Sequence, residues 1–246
     1  MTIRGRRTIE SPLRSRIAAF DWTAMARDLD DRGFARSGTP LLTPAECAAL
    51  ASLWDDPGRF RSRVEMARHR FGEGEYRYFS RPLPRAIAEM RAALYPRLAP
   101  IADAWMKTLG EPRRFPAALG GFLRQCAAAG QTKPTPLLLK YETAGYNCLH
   151  QDLYGEAAFP LQAMVPLSEP GVDYTGGEFL LVEQRPRAQS VGTAIVPARG
   201  ELVIFPNRLR PVRGARGWYR AGVRHGASRI LSGTRFALAI IFHDGA

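Results

Sequence analysis

Hydrophobic and polar positions divide the chain near Thr132-Lys133-Pro134-Thr135-Pro136. Before that point apolar residues mostly recur at helical spacing. After it they alternate or run together in short stretches, as strands do. A basic arm opens the chain, and a short helix is expected around Thr23 to Arg32. Thr43-Pro44-Ala45-Glu46 has the form of a helix start: Thr43 caps, Pro44 fits the first turn, and Glu46 closes a capping box. Leu50, Leu53 and Trp54 then share one face, and Asp56-Pro57-Gly58 ends the helix. Further helices are expected from Arg85 to Leu94, onward to about Leu109 with breaks at Pro96 and Pro100, and from Phe115 to Ala129.

Beyond Leu137 the pattern predicts strands at Leu137–Thr143, Phe159–Leu167, Glu178–Glu183, Ala194–Pro197, Glu201–Phe205, Val223–Ile230 and Phe236–His243. Short, closely spaced strands of this kind build a sandwich or a jelly-roll barrel. Helices packed on one side make the whole α+β. The expected organisation is one structural domain: a basic arm and short helix (1–40), a helical support region (41–136) and a β core (137–246).

The chemistry concentrates on few residues. The chain has four histidines: His69, His150, His225 and His243. In His150-Gln151-Asp152 the imidazole and the carboxylate lie two apart, so on extended backbone they point to the same side. His225, expected to start a late strand, can supply a third ligand. Two histidines and one carboxylate on one face of a metal leave three positions open, the facial triad of non-haem iron(II) oxygenases. Arg235 lies ten residues after His225 and Tyr141 nine before His150. An arginine fork matches a carboxylate with two hydrogen bonds. Gln162 could face a co-substrate, with ordinary packing an equal reading. His243 reads as a core or edge histidine, His69 as a surface or rim residue, and Gly72-Glu73-Gly74-Glu75 as a turn or lid.

Tyr141, His150-Gln151-Asp152, Gly176-Gly177-Glu178-Phe179, Gly200 to Phe205, His225-Gly226 and Gly233-Thr234-Arg235 resemble, in order and spacing, the Fe(II)/2-oxoglutarate-dependent oxygenases. The resemblance covers Leu137 to Ala246 and reaches back through Leu41 to Leu53. It implies a double-stranded β-helix (cupin-like) barrel with supporting N-terminal helices. It also implies Fe(II) held by His150, Asp152 and His225, with 2-oxoglutarate on the iron. Arg235 would bind the distal carboxylate and Tyr141 add a hydrogen bond. Succinate and carbon dioxide leave, and a C–H bond is hydroxylated. The interval from His225 to Arg235 looks like the prolyl-hydroxylase type. Tyr141 to Asp152 looks more like the AlkB-type nucleic-acid demethylases, but Ile241 stands where those carry a second arginine.

Composition narrows the partner. With 246 residues, 46% of them hydrophobic, the chain can bury a sizeable core. No apolar run is long enough to cross a bilayer, and Met1 to Phe20 lacks a signal core, so a cytoplasmic protein with no membrane partner is expected. Cys47, Cys126 and Cys148 have no metal spacing and read as ordinary thiols. Thirty-five basic residues against 23 acidic give +12, which favours a polyanionic partner. No acidic residue lies between Leu202 and His243, a stretch holding Arg208, Arg210, Arg213, Arg216 and Arg220 with Trp218 and Tyr219 interleaved. Because His225 shares this stretch, these arginines are expected near the active-site mouth. A second basic stretch, Arg59 to Arg85, carries Phe71, Tyr76, Tyr78 and Phe79. Cations with aromatics form a nucleic-acid signature. The expectation is an oxygenase acting on nucleic acid, possibly repairing alkylated DNA, with dioxygen as co-substrate. A protein (prolyl-type) hydroxylase and a non-catalytic 2-oxoglutarate-binding module are the alternatives.

Overall fold

The computed structural model describes residues 11–152, 154–215 and 217–246. Residues 1–10 of the basic arm, Leu153 and Arg216, one of the arginines expected to meet nucleic acid, lie outside them.

The first half carries α1 (Pro12–Ala19), α2 (Trp22–Arg32), β1 (Ala35–Pro40), α3 (Pro44–Ala51), β2 (Phe60–Glu65), β3 (Gly72–Glu73), β4 (Glu75–Phe79), α4 (Arg85–Thr108) and α5 (Leu119–Ala128). Asp21 caps α2 by accepting from the Ala24 amide at 2.9 Å. At α3 the expected capping box is complete: Thr43 accepts from the Glu46 amide and Glu46 from the Thr43 amide.

The helix expected to break at Pro96 and Pro100 runs unbroken through both. Each proline removes one backbone donor. The buried stripe Ile87, Met90, Leu94, Leu98, Ala102 and Trp105 continues across both prolines at helical spacing, and tertiary packing holds the segment helical.

The second half is β5 (Leu137–Tyr141), β6 (Tyr146–His150), β7 (Leu161–Pro166), β8 (Tyr174–Gly176), β9 (Phe179–Gln184), β10 (Val191–Ile195), β11 (Glu201–Pro206), β12 (Leu209–Gly214), β13 (Gly217–Ala227), β14 (Ile230–Gly233) and β15 (Arg235–Ile240). Seven strands form one antiparallel sheet in the order β1-β11-β7-β15-β5-β4-β2. A facing sheet runs β10-β9-β13-β6-β3, with β12 on β13, and β14 pairs β8. Three strands of the large sheet thus come from the half read as mainly helical. Ala35–Pro40 and Phe60–Glu65 show no apolar alternation, and they are strands because each lies along a sheet edge. β12 was hidden by Pro211, which an edge strand tolerates.

β7 and β11 are buried at every position. Their alternate side chains serve two cores. Leu161, Ala163, Val165, Leu202 and Ile204 pack against the helices, with Leu94, Tyr95 and Phe159. Met164, Val203 and Phe205 face the second sheet, meeting Phe179, Leu181 and Val223. Two facing antiparallel sheets with helices on one outer face give the expected α+β jelly roll. The chain end is clasped beneath: Arg91, buried in α4, donates to the carbonyls of Ile241 (3.0 Å) and Phe242 (2.8 Å) and to Asp244 (2.8 Å). No helix among the described residues is long and apolar enough to cross a membrane.

Candidate metal centre and co-substrate pocket

β6 ends at His150 and β13 runs antiparallel beside it, with His225 directly opposite His150. Close approach of these strands needs Gly226, because a Cβ there would lie 2.6 Å from the Asn147 carbonyl oxygen. His225 therefore sits near the end of its strand and not at its start, since β13 extends back through Trp218 to pair with β12.

Asp152 follows two residues after His150. One ligand atom from each of His150, Asp152 and His225 lies within 4.8 Å of the others. His225 Nε2 is 3.1 Å from Asp152 Oδ2, and His150 Nε2 is 3.6 Å from Oδ1. His150 Nδ1 lies 2.8 Å from the Cys148 carbonyl oxygen. A carbonyl only accepts, so Nδ1 carries the proton and Nε2 keeps its lone pair for a metal. Burial, then the neighbouring His225, lowers the His150 pKa and keeps the ring neutral. Burial alone would raise the Asp152 carboxyl, but hydrogen bonding and charge from His225, the charge of His150 and the Tyr154 hydroxyl hold it well below the usual range. Two imidazoles and an ionised carboxylate fit iron(II).

Three further residues brace this cluster, and no local spacing marks them. Gln151 Nε2 donates to the carbonyls of Val223 (2.8 Å) and Arg208 (3.2 Å), tying the ligand turn to β12 and β13. Tyr154 donates to Asp152, and Tyr78, brought in by β4, donates to Tyr154.

Arg235 opens β15 and pairs in register with Tyr141, the last residue of β5. Its side chain is buried, its Nε has no hydrogen-bond partner, and among the described residues no carboxylate pairs with it. The guanidinium carbon lies 5.6 Å from the Tyr141 ring centre and 5.9 Å from that of Tyr174, which the sequence reading missed. A glycine at 177 gives them room: φ is +65°, and a Cβ would lie 3.2 Å from both Arg235 Cδ and Tyr174 Cε2. Burial pushes the Tyr141 phenol up to about 12, against the pull of Arg235, so it remains a donor. A buried cation left without an anion is costly, and a carboxylate-bearing co-substrate supplies what this pocket lacks.

One cavity of about 380 Å³ reaches from the metal ligands to Tyr141 and Arg235, within the range of small-molecule sites. Gln162, buried on β7, lines it with Nε2 3.4 Å from His225 Nε2. Ile241, the residue in place of a second arginine, also lines it. Cys47 and Cys126 are buried, whereas Cys148 is exposed and lies on the cavity wall.

The arginines expected at the mouth do not reach the cavity wall. None of Arg208, Arg210, Arg213 and Arg220 lines the cavity. Arg210 is buried, pairs with Glu183 and donates to the Asp30 carbonyl at 2.7 Å, so it cannot offer a free charge to phosphate. Arg220 is half-exposed and pairs with Glu111 at 2.6 Å. Arg208 and Arg213 are exposed. Arg208 precedes β12 beside the ligand turn, its carbonyl accepting from Gln151, but for Arg213 and Arg220 the reason is strand direction: His225 is near one end of β13, and the β12–β13 turn is at the other. At about 3.3 Å per residue, Arg220 is roughly 17 Å along the strand from the metal ligand. His69 is exposed and stacks on Phe71, while His243 is buried and accepts from the Phe159 amide at 3.2 Å.

A facial His–Asp–His cluster with a buried, unpaired arginine, set between the sheets of a double-stranded β-helix, defines an enzyme of the Fe(II)- and 2-oxoglutarate-dependent oxygenases. Residues 74–245 match the model of the Oxygenase-NA family, described as an oxygenase catalysing oxidative methylation of damaged DNA, and the chain belongs to that family. Uncharacterised proteins from two strains of Mycobacterium tuberculosis are 55% identical over 168 residues, 68% of this chain and 72% of theirs. Among solved structures, a Pseudomonas putida prolyl-4-hydroxylase is similar at 16% identity and TM-score 0.52, covering 89% of this chain and 96% of that one. A Trichoplax adhaerens prolyl hydroxylase in complex with a hypoxia inducible factor peptide fragment reaches 0.54 at 14% identity, covering 96% and 94%. These two likenesses bear on the fold alone.

Proposed function

We propose that this oxygenase hydroxylates a C–H bond of an alkyl group on a damaged DNA base, presented single-stranded or flipped out of the duplex. In this reading His150, Asp152 and His225 hold Fe(II). Arg235 takes the distal carboxylate of 2-oxoglutarate, with Tyr141 hydrogen-bonding the same molecule and Gln162 on the adjoining wall. Bound iron supplies the site for dioxygen: O2, 2-oxoglutarate and C–H give C–OH, succinate and carbon dioxide. The chain's own part is to hold the ligands in place, neutralise the co-substrate in an apolar cavity and keep water from it. Oxygen inserted into an N-methyl group leaves a hemiaminal that releases formaldehyde. The chemistry thus removes a methyl group and cannot add one.

The match over 74–245 to a family described as acting on damaged DNA carries the substrate class. The net charge of +12 and a cavity sized for the co-substrate and one planar group support it. A base inside a duplex could not reach the ligands, so flipping or a single strand is required.

The test incubates iron(II)-loaded protein with 2-oxoglutarate and oligonucleotides carrying N-methylated bases, single- and double-stranded. Formaldehyde released in step with succinate is expected. Succinate without formaldehyde, and no change in oligonucleotide mass, overturns the reading. Acidic and proline-containing peptides are then the substrates to assay.

A further inference from the structure

None of the described β12–β13 arginines lines the cavity, so the residues at its own mouth are the first candidates to grip a substrate. Among the described residues two arginines line the cavity, Arg235 and Arg70. Arg235 is buried, whereas Arg70 is exposed. Nearby Arg63 and Arg68 are neutralised by Glu75 and Glu65, but no salt bridge to Arg70 occurs among the described residues. Beside it Phe71, also on the cavity, is 46% exposed. Its ring stacks on His69 with centres 5.3 Å apart and planes 23° apart.

The pair is held rigidly. The Phe71 amide donates to the Met66 carbonyl at 3.0 Å, and the Met66 amide to Gly74 at 3.0 Å. The Cys148 amide donates to the Phe71 carbonyl at 2.8 Å, fastening this turn to β6 two residues before His150. Arg70 adopts the left-handed conformation, φ 60°, which is costly for a residue other than glycine. The turn that carries the exposed ring and the arginine is thus fastened to the strand that carries His150.

We propose that Arg70 and Phe71 form a lip for a single nucleic-acid strand. The guanidinium takes a phosphate, and the Phe71 ring stacks on a base next to the one admitted to the cavity. This rests on the nucleic-acid reading above and adds the residues that would grip the strand. A planar partner uses the Phe71 face, and a phosphate neutralises Arg70, the exposed arginine of the cavity lining. An acidic peptide would satisfy Arg70 alone.

Binding is measured by fluorescence anisotropy on the iron(II)-loaded, 2-oxoglutarate-bound protein without oxygen, using a short labelled oligothymidylate across a salt series. Phe71→Ala should weaken binding about five- to a hundredfold, the range for losing one base–aromatic stack, and leave the salt slope unchanged. Phe71→Leu keeps apolar bulk without a planar face and should weaken it too, while Phe71→Trp restores it. Arg70→Ala should reduce the slope by about 0.7, one phosphate on a single strand. All four should keep wild-type 2-oxoglutarate affinity. If the wild type binds the strand and both Phe71→Leu and Arg70→Ala match it, the lip is wrong while the nucleic-acid reading stands. If the wild type binds no strand at low salt, both fall together.

Discussion

The Tyr154 hydroxyl donates a 2.7 Å hydrogen bond to Oδ1 of Asp152, and Tyr78 donates to the Tyr154 oxygen at 3.0 Å. Burial, and then the charge of Asp152, pushes the Tyr154 phenol far up, so it stays protonated as a donor. The carboxylate is thereby oriented from outside the ligand cluster. Loss of such a supporting bond typically costs ten- to a hundredfold in metal affinity. Tyr154→Phe should accordingly weaken iron(II) or cobalt(II) binding by about tenfold or more with little change in fold, read by metal titration. Unchanged affinity would show that Asp152 is positioned without it.

Metal binding should divide the histidines. His150→Ala, Asp152→Ala and His225→Ala should each abolish binding and turnover, whereas His69→Ala should keep metal binding. His243 should keep iron and act on stability. Burial lowers its pKa to about 4. An unfolded histidine titrates near 6.5. Above pH 6.5 both states are neutral and the residue contributes no pH dependence. As pH falls from 6.5 to 4 the unfolded chain takes up a proton that the folded one refuses, and about 3 kcal/mol of stability is lost. His243→Asn, which can still accept from the Phe159 amide, should flatten the fall of Tm in that window. An equal slope in both proteins would place the acid sensitivity elsewhere.

Arg235 should show opposite effects with and without co-substrate. Removing its charge-assisted fork should weaken 2-oxoglutarate roughly ten- to a hundredfold in Arg235→Met, measured by calorimetry, with Arg235→Lys partly tolerated. Without 2-oxoglutarate, the same Arg235→Met change removes a buried, unpaired cation and should raise Tm. A lowered Tm would mean that the guanidinium is satisfied in the free protein.

Among the arginines once grouped together, Arg210 should behave as part of the frame. Removing it takes one of two arginines from Glu183, leaving Arg185, and frees the Asp30 carbonyl, which should cost about 2 kcal/mol by denaturant unfolding. Arg213→Ala should cost almost nothing, being exposed. If Arg210→Ala leaves stability intact, the ion pair has no structural weight.

Much of the site was legible because its residues lie on short local spacings. His150 and Asp152 are two apart, and Tyr141 and Arg235 each close or open a strand whose apolar run is plain in the sequence. β7 and β11 were readable because two cores demand apolar side chains on both faces. What local pattern could not carry was pairing over distance. Tyr78 meets Tyr154 across 76 residues, and β2 is a strand only through its partner β4. The misplacement of Arg213 and Arg220 has one cause. Where β13 begins decides which end of it bears the charge, and its start depends on pairing with β12.

His150 and His225 face each other across two hydrogen-bonded strands, and Gln151 pins the turn between His150 and Asp152 to the same sheet. Strand pairing and the Gln151 bond therefore hold the ligand backbone by contacts within the polypeptide. Iron should add only the increment set by its concentration and affinity, in contrast to small zinc domains that stay unfolded without their ion. A cell short of iron would hold this enzyme as a standing reserve of folded, idle molecules. Activity would return at the pace of metal supply, with no new synthesis or refolding.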